Sequence, residues 1–196
     1  IDMFIDPISV PDVGQGLRVT QIIRYTNSSD RMYTTGRAIG DGREAVSLVQ
    51  VPVGALITSG EANGRYIIAE NIEGMLDSII DTYPILPGDR HEIILEYFVP
   101  YEDGAIIGQP FVNAIDGEVS ITTSNNLEII SDAFTLQEEG TTAENLKVYA
   151  GNLTVKSSPS LKFEVTGNPF IASTQNTPVI ATDALFPILL GGVVII

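Results

Sequence analysis

The sequence has no cysteine and no tryptophan, one histidine and three lysines. Without cysteine there are no disulfides, thiol nucleophiles, Fe–S clusters or Cys-bound zinc. A single histidine rules out a multi-histidine metal site. Seven arginines raise the basic count only to 10, against 25 acids, for a net charge of −15. No basic face is available to neutralise phosphates, so nucleic acid is not an expected partner. Charge is sparse too, at 18% of residues, which fits an exported protein. Hydrophobic residues make up 44% of the 196 residues, enough to build a core and exclude disorder.

Alternation with period two dominates the chain. Leu17, Val19, Gln21, Ile23 and Tyr25 alternate with Arg18, Thr20, Ile22 and Arg24, the pattern of a half-buried strand. Asn27-Ser28-Ser29-Asp30 ends it as a turn. Arg90 to Val99 is the clearest strand, with Ile93, Leu95 and Tyr97 on one face and Glu92, Ile94, Glu96 and Phe98 on the other. Further strands are expected at 45–53, 65–69, 105–111, 118–123, 127–131, 146–150, 153–156 and 161–166. Asp41-Gly42, Asp103-Gly104 and Asp116-Gly117 mark tight turns. Short strands separated by turn signals predict an all-β, antiparallel β-sandwich of Ig-like kind. Leu17, Val19, Ile23, Ile93, Leu95, Tyr97, Ile121, Leu153, Phe163 and Val165 are its expected core. One segment is ambiguous. Ile72, Met75, Leu76, Ile79 and Ile80 follow a helical stripe, while a strand through Ser78–Tyr83 fits equally well.

The expected organisation is an N-terminal extended segment over 1–16, a β-sandwich module over 17–100, and a second module or a continuation of the same sandwich over 101–168. A polar linker follows over 169–183, then an apolar segment over 184–196. That last segment contains Leu185, Phe186, Ile188, Leu189, Leu190, Val193, Val194, Ile195 and Ile196, with no charge. Its thirteen residues make a helix of about 20 Å, short of the ~30 Å hydrocarbon core. It is read first as the opening of a transmembrane helix. The other readings are a strand buried in a partner, or a last core strand, which Pro187 and Gly191-Gly192 disfavour. The chain begins at Ile1, so a removed leader or a longer parent chain is expected.

The turn and strand-edge residues form a familiar string. Asn27 with Asp30-Arg31, Val51-Pro52-Val53-Gly54-Ala55 and Arg65-Tyr66 open it. Asp81-Thr82-Tyr83-Pro84-Ile85-Leu86-Pro87-Gly88 with His91, then Tyr97 to Tyr101, continue it, and Gly167-Asn168-Pro169 precedes the linker. Over most of 17–170 this resembles the extracytoplasmic β-sandwich region of bacterial membrane-anchored proteins, in the manner of carboxypeptidase-regulatory-like and bacterial Ig-like modules. The resemblance implies an exported domain ahead of a transmembrane helix. It carries over no catalytic residue, ligand or cofactor.

Catalytic patterns are weak. His91 is the sole candidate general base; it is read as a strand-entry histidine bonded to a nearby backbone group. No Gly-x-Ser-x-Gly elbow and no phosphate-binding glycine loop is present. Glu92 and Glu96 share a strand face, but about 13 Å apart, too far for a glycosidase pair. Calcium is the one cofactor considered, through Glu102 and Asp103 with Asp116 and Glu118, if two loops converge. Arg18 and Arg24 share a face, either as an anion strip or, more simply, in salt bridges to the excess acids. Lys147, Lys156 and Lys162 lie on the last strands before the linker, towards any membrane. Asn27-Ser28-Ser29 and Asn152-Leu153-Thr154 are glycosylation sequons. Tyr97 and Tyr101 form the one compact aromatic cluster, with Tyr25, Tyr33 and Tyr66 as recruits in space, and core packing or a corner tyrosine is the expected role.

The expected function is non-enzymatic: an extracytoplasmic, membrane-tethered structural or interaction module, a scaffold or accessory subunit with protein partners. One alternative is a filament or surface-layer subunit in which Ile1–Val10 is donated to a neighbour's sheet. The other is a calcium- or ligand-binding module.

Overall fold

The computed structural model describes residues 1–39, 42–59, 65–69, 77–111, 115–139, 145–155 and 160–170. Among these the fold is all-β, with fifteen strands in several mostly antiparallel sheets. The largest sheet has seven strands. In spatial order they are β13 (Thr135–Glu139), β14 (Leu146–Val155), β11 (Ile115–Ser124), β1 (Asp2–Val10), β2 (Gly14–Thr26), β9 (Arg90–Pro100) and β6 (Leu56–Ser59). One three-stranded sheet runs β5 (Ser47–Gln50), β8 (Ser78–Asp81), β7 (Tyr66–Ala69). The other runs β10 (Ala105–Pro110), β15 (Ser160–Gly167), β12 (Leu127–Ile130). A bridge between Val49 and Phe111 links these two. The remaining pair is β3 (Arg37–Ala38) with β4 (Glu44–Ala45).

Alternation places the side chains as expected. Along β9, His91, Ile93, Leu95, Tyr97 and Val99 are buried while Glu92 and Ile94 are exposed. All ten expected core residues are buried, in one cluster that draws on the large sheet and both three-stranded sheets. Phe98 departs from the pattern. It lies on the opposite face yet is buried, because its ring covers Gly16 on the neighbouring strand. A Cβ at position 16 would stand inside that ring and 2.6 Å from the Val99 carbonyl oxygen.

The N-terminal segment is not a spare arm here. β1 sits in the middle of the large sheet, antiparallel to β2 and parallel to β11. The turn between Val10 and Gly14, with Asp12 at φ 65°, keeps it beside β2 of its own chain. Pro7 within β1 argued against a central strand. The register explains it: pairing with β11 covers Asp2 to Ile5 only, so Pro7 lies beyond that neighbour and needs no N–H towards it.

Strands from both sides of the expected 100/101 division share the seven-stranded sheet. Segments 146–150 and 153–156 were expected as two strands; residues 146 to 155 form a single β14 running through Gly151 and Asn152, and residue 156 lies outside the described residues. The polar residues Gln137 to Glu139 lie inside β13, a bulged edge strand. Of the ambiguous stripe, Ser78–Asp81 is a strand; Ile72, Met75 and Leu76 lie outside the described residues. So do residues 171–196, which include every anchor candidate from Leu185 to Ile196. Among the described residues no helix is long and apolar enough to cross a membrane.

Candidate functional site

The densest chemistry lies where the β5–β8–β7 sheet meets the large sheet. Asp81 ends β8 with its side chain fully buried. Its carboxylate accepts from Arg65 Nε at 3.0 and 3.1 Å and from Arg65 Nη2 at 2.6 Å. It also accepts from the Tyr83 backbone N–H at 2.9 Å. Asp81 Oδ2 lies 2.5 Å from Nε2 of buried His91 on β9, and Arg65 Nη2 lies 2.7 Å from the same nitrogen, so the three side chains meet at one point. Arg65 Nη2 reaches the Glu92 carbonyl at 2.9 Å, so the guanidinium spans both sheets. The rings of Tyr66 and Tyr83 lie 4.7 and 5.5 Å from it, close enough for cation–π attraction. Burial by itself raises the Asp81 carboxyl, but the hydrogen bonds from His91, Arg65 and Tyr83 outweigh it and hold the group below its ordinary value.

His91 thus bonds a carboxylate from another sheet, not the nearby backbone group expected of it. Tyr25 packs at 6.4 Å from the His91 ring and accepts a hydrogen bond from Ser47 Oγ at 3.0 Å. Burial raises the Tyr25 hydroxyl above its ordinary value. Tyr25 and Tyr66 therefore gather round the charged cluster, away from Tyr97 and Tyr101. Tyr97 is fully buried, with a hydroxyl lacking a partner among the described residues, and burial pushes it well up. Tyr101 donates to the Gly167 carbonyl at 2.7 Å and ties the end of β9 to β15, in the role of a corner tyrosine.

A second polar link crosses the core between β2 and β10. Gln21 and Gln109, both fully buried, exchange amide hydrogen bonds of 2.8 and 2.9 Å. Gln109 Nε2 also reaches the Gln50 carbonyl at 2.9 Å. Two facing amides satisfy each other where an apolar pair would leave layer registry unspecified.

The calcium candidates do not converge. Glu102 and Asp103 follow Pro100, which pairs with Gly16, itself opposite Ile8. Asp116 and Glu118 lie at the other end of the sheet, where the Ile1 amine donates to the Glu118 carbonyl. Seven strand residues, about 23 Å, separate the two levels. Asp116 accepts instead from Thr154 Oγ1 at 3.0 Å. Among the described residues no group of three or more His, Asp or Glu side chains could hold a metal.

The arginine strip resolves into ion pairs on the exposed face of the large sheet. Arg18 pairs with Asp6 at 3.5 Å, and Arg24 bridges Asp2 and Glu92. Glu96, one of the two carboxylates sharing that face, accepts from Thr58 at 3.1 Å. Lys147 is buried: its ammonium donates to the Leu127 carbonyl at 3.3 Å and lies 3.5 Å from the Glu128 carboxylate. Lys162 remains exposed, and Lys156 lies outside the described residues.

No protein-family model matches this chain, and no curated protein matches it.

No signal in the sequence singled out Asp81, Arg65, Gln21 or Gln109 as partners. The one cue was polarity at an inward position: Gln21 interrupts the apolar face of β2, and His91 that of β9.

Proposed function

We propose that this chain is a non-enzymatic structural or interaction module of the extracytoplasmic space, held at a membrane through residues 184–196. We read its facing sheets as an Ig-like β-sandwich, in line with the resemblance to bacterial membrane-anchored modules. The observation that carries the reading is the state of the interior charges. Asp81, Arg65 and His91 are committed to one another and to backbone groups, in a link that joins two sheets. A buried carboxylate already holding three donors is built to fix geometry, not to exchange protons with a substrate. Apolar side chains stand exposed on two outer faces, Phe4 and Ile94 on the large sheet, Ile106 and Ile130 on the β10–β15–β12 sheet. These supply surface for protein partners.

The test is fractionation of the whole protein from its source cells after an alkaline wash. Retention in the membrane pellet supports the reading, together with digestion of the domain by protease added from outside. A Leu189→Arg/Leu190→Arg variant should shift to the soluble fraction, since each arginine at mid-bilayer costs about 2.5–3.5 kcal/mol of insertion. A wild-type protein found wholly in the soluble wash would sink the anchored reading.

A further inference from the structure

The two sequons differ in what the fold asks of their amides. A glycan on asparagine turns a primary amide into a secondary one, leaving a single N–H. At Asn27 the fold uses both. Asn27 Nδ2 donates to the Arg31 carbonyl at 2.7 Å and to the Ile85 carbonyl at 2.9 Å. Its Oδ1 accepts from the Ser29 backbone N–H at 3.0 Å, closing the turn after β2. The Ser29 hydroxyl is engaged in the same turn, 2.8 Å from the Arg31 carbonyl. Sugar on this nitrogen would remove one of the two donated bonds and leave the turn held to the 85–88 loop by the backbone bonds from Gly88 to Asn27 and between Tyr33 and Ile85.

Asn152 has no such duty. It is exposed on β14, opposite Glu118, and its side chain makes no hydrogen bond among the described residues. The edge strand β13 reaches only as far as Ala150, so nothing pairs alongside Asn152 on that side. The residue borders an open groove of about 710 Å³ lined also by the polar Ser120, Thr135 and Gln137 and the charged Asp2, Arg24 and Glu118, a hydrophilic surface suited to a first sugar. Thr154 of the sequon is exposed as well, and its hydroxyl donates to Asp116 at 3.0 Å on the surface.

We propose that Asn152 is an N-glycan acceptor and that the fold rejects a glycan at Asn27. The co-reactant is a polyprenyl-diphosphate-linked oligosaccharide. Asn152 Nδ2 attacks its anomeric carbon, the N–C1 bond forms, the C1–O bond to diphosphate breaks, and the amide proton leaves to a base of the transferase. In the unfolded chain both sequons are equally open; folding discriminates, because a chain glycosylated at Asn27 gives up one of the amide bonds that close its turn. The proposal rests on the exported reading, since only an exported chain meets such a transferase.

The test sends the full chain through a eukaryotic secretory pathway behind a supplied, cleavable leader. Released protein is deglycosylated by peptide amidase in ¹⁸O-water and mapped by mass spectrometry. The expected result is the ¹⁸O label at residue 152 and none at residue 27, with the glycan lost entirely in Asn152→Gln. Label at residue 27 in the released, folded protein, or an unlabelled residue 152, overturns the proposal. If the chain stays in the cell, the same map on the retained fraction decides: label at residue 152 supports it, and an unlabelled residue 152 overturns it. Because the leader is supplied, a cytosolic location in the source cells would defeat the exported reading without altering this outcome.

Discussion

Replacing Asp81 by asparagine tests whether the Asp81–Arg65–His91 cluster holds the two sheets together. The substitution keeps shape and removes the charge. Arg65, only 20% exposed, and His91 would then face a neutral amide. Breaking a buried, hydrogen-bonded ion pair by removing one partner costs about 3–5 kcal/mol. For a chain of this size each kcal/mol lowers Tm by about 2–4 °C, so a fall of roughly 6–20 °C is expected. The pH dependence follows from the depressed Asp81 carboxyl. Its folded-state value lies below the ordinary 3.8, so its contribution is complete above that value and is lost as the pH falls through the folded value. Denaturant unfolding from pH 7 down to pH 2 measures both effects. Asp81→Asn should be less stable at pH 7 and should converge on the wild type at the acid end. A variant within about 1 kcal/mol of wild type at pH 7, or one keeping a constant deficit down to pH 2, would refute the reasoning.

The buried amide pair makes a second case. Gln109→Leu leaves the buried Gln21 amide unpaired, and Gln21→Leu leaves Gln109 with the Gln50 carbonyl alone; each should cost about 1–3 kcal/mol; the double variant should recover part of the loss, and a denaturant double-mutant cycle showing simple additivity would contradict the pairing. Gly16→Ala should destabilise by about 1–3 kcal/mol, because the added carbon overlaps the Phe98 ring; Phe98→Leu in the same chain should return part of it, as read by thermal unfolding. On the exposed face, Arg24→Ala should change stability by less than about 1 kcal/mol, with the difference vanishing in high salt.

The strands that could be read directly are those with one face in the core and one in water. In β2 and β9 the alternation of apolar and polar residues is itself the record of that division, and it named the core face correctly, with Phe98 buried on the other face by its contact with Gly16. β14 was expected as two strands, on either side of Gly151 and Asn152. In the fold Gly151 is a requirement: a side chain there would collide with the Ala133 carbonyl where the chain crosses from β12 to β13. β1 was read as a segment open to donation because its partner β11 lies far along the chain, and nothing within the strand itself records that pairing.

The candidate site was far less legible. Arg65, Asp81 and His91 are separated by 16 and 10 residues, and Gln21 lies 88 residues from Gln109. Nothing local selects one acid out of 25 as the partner of His91. The same uncertainty misled in the other direction for calcium: Glu102 and Asp103 look near Asp116 and Glu118 along the chain, but the intervening strand carries them to opposite ends of the sheet.

Composition and periodicity by themselves determined the chemical limits of this protein, its all-β class and which side of its longest strands is buried. Each of those depends on residues close together in sequence or on simple counts. Which polar side chains meet was decided only by the tertiary structure, because such pairs form between strands that belong to different sheets. Their distance depends on how the sheets stack, a property of the whole chain that no local pattern records.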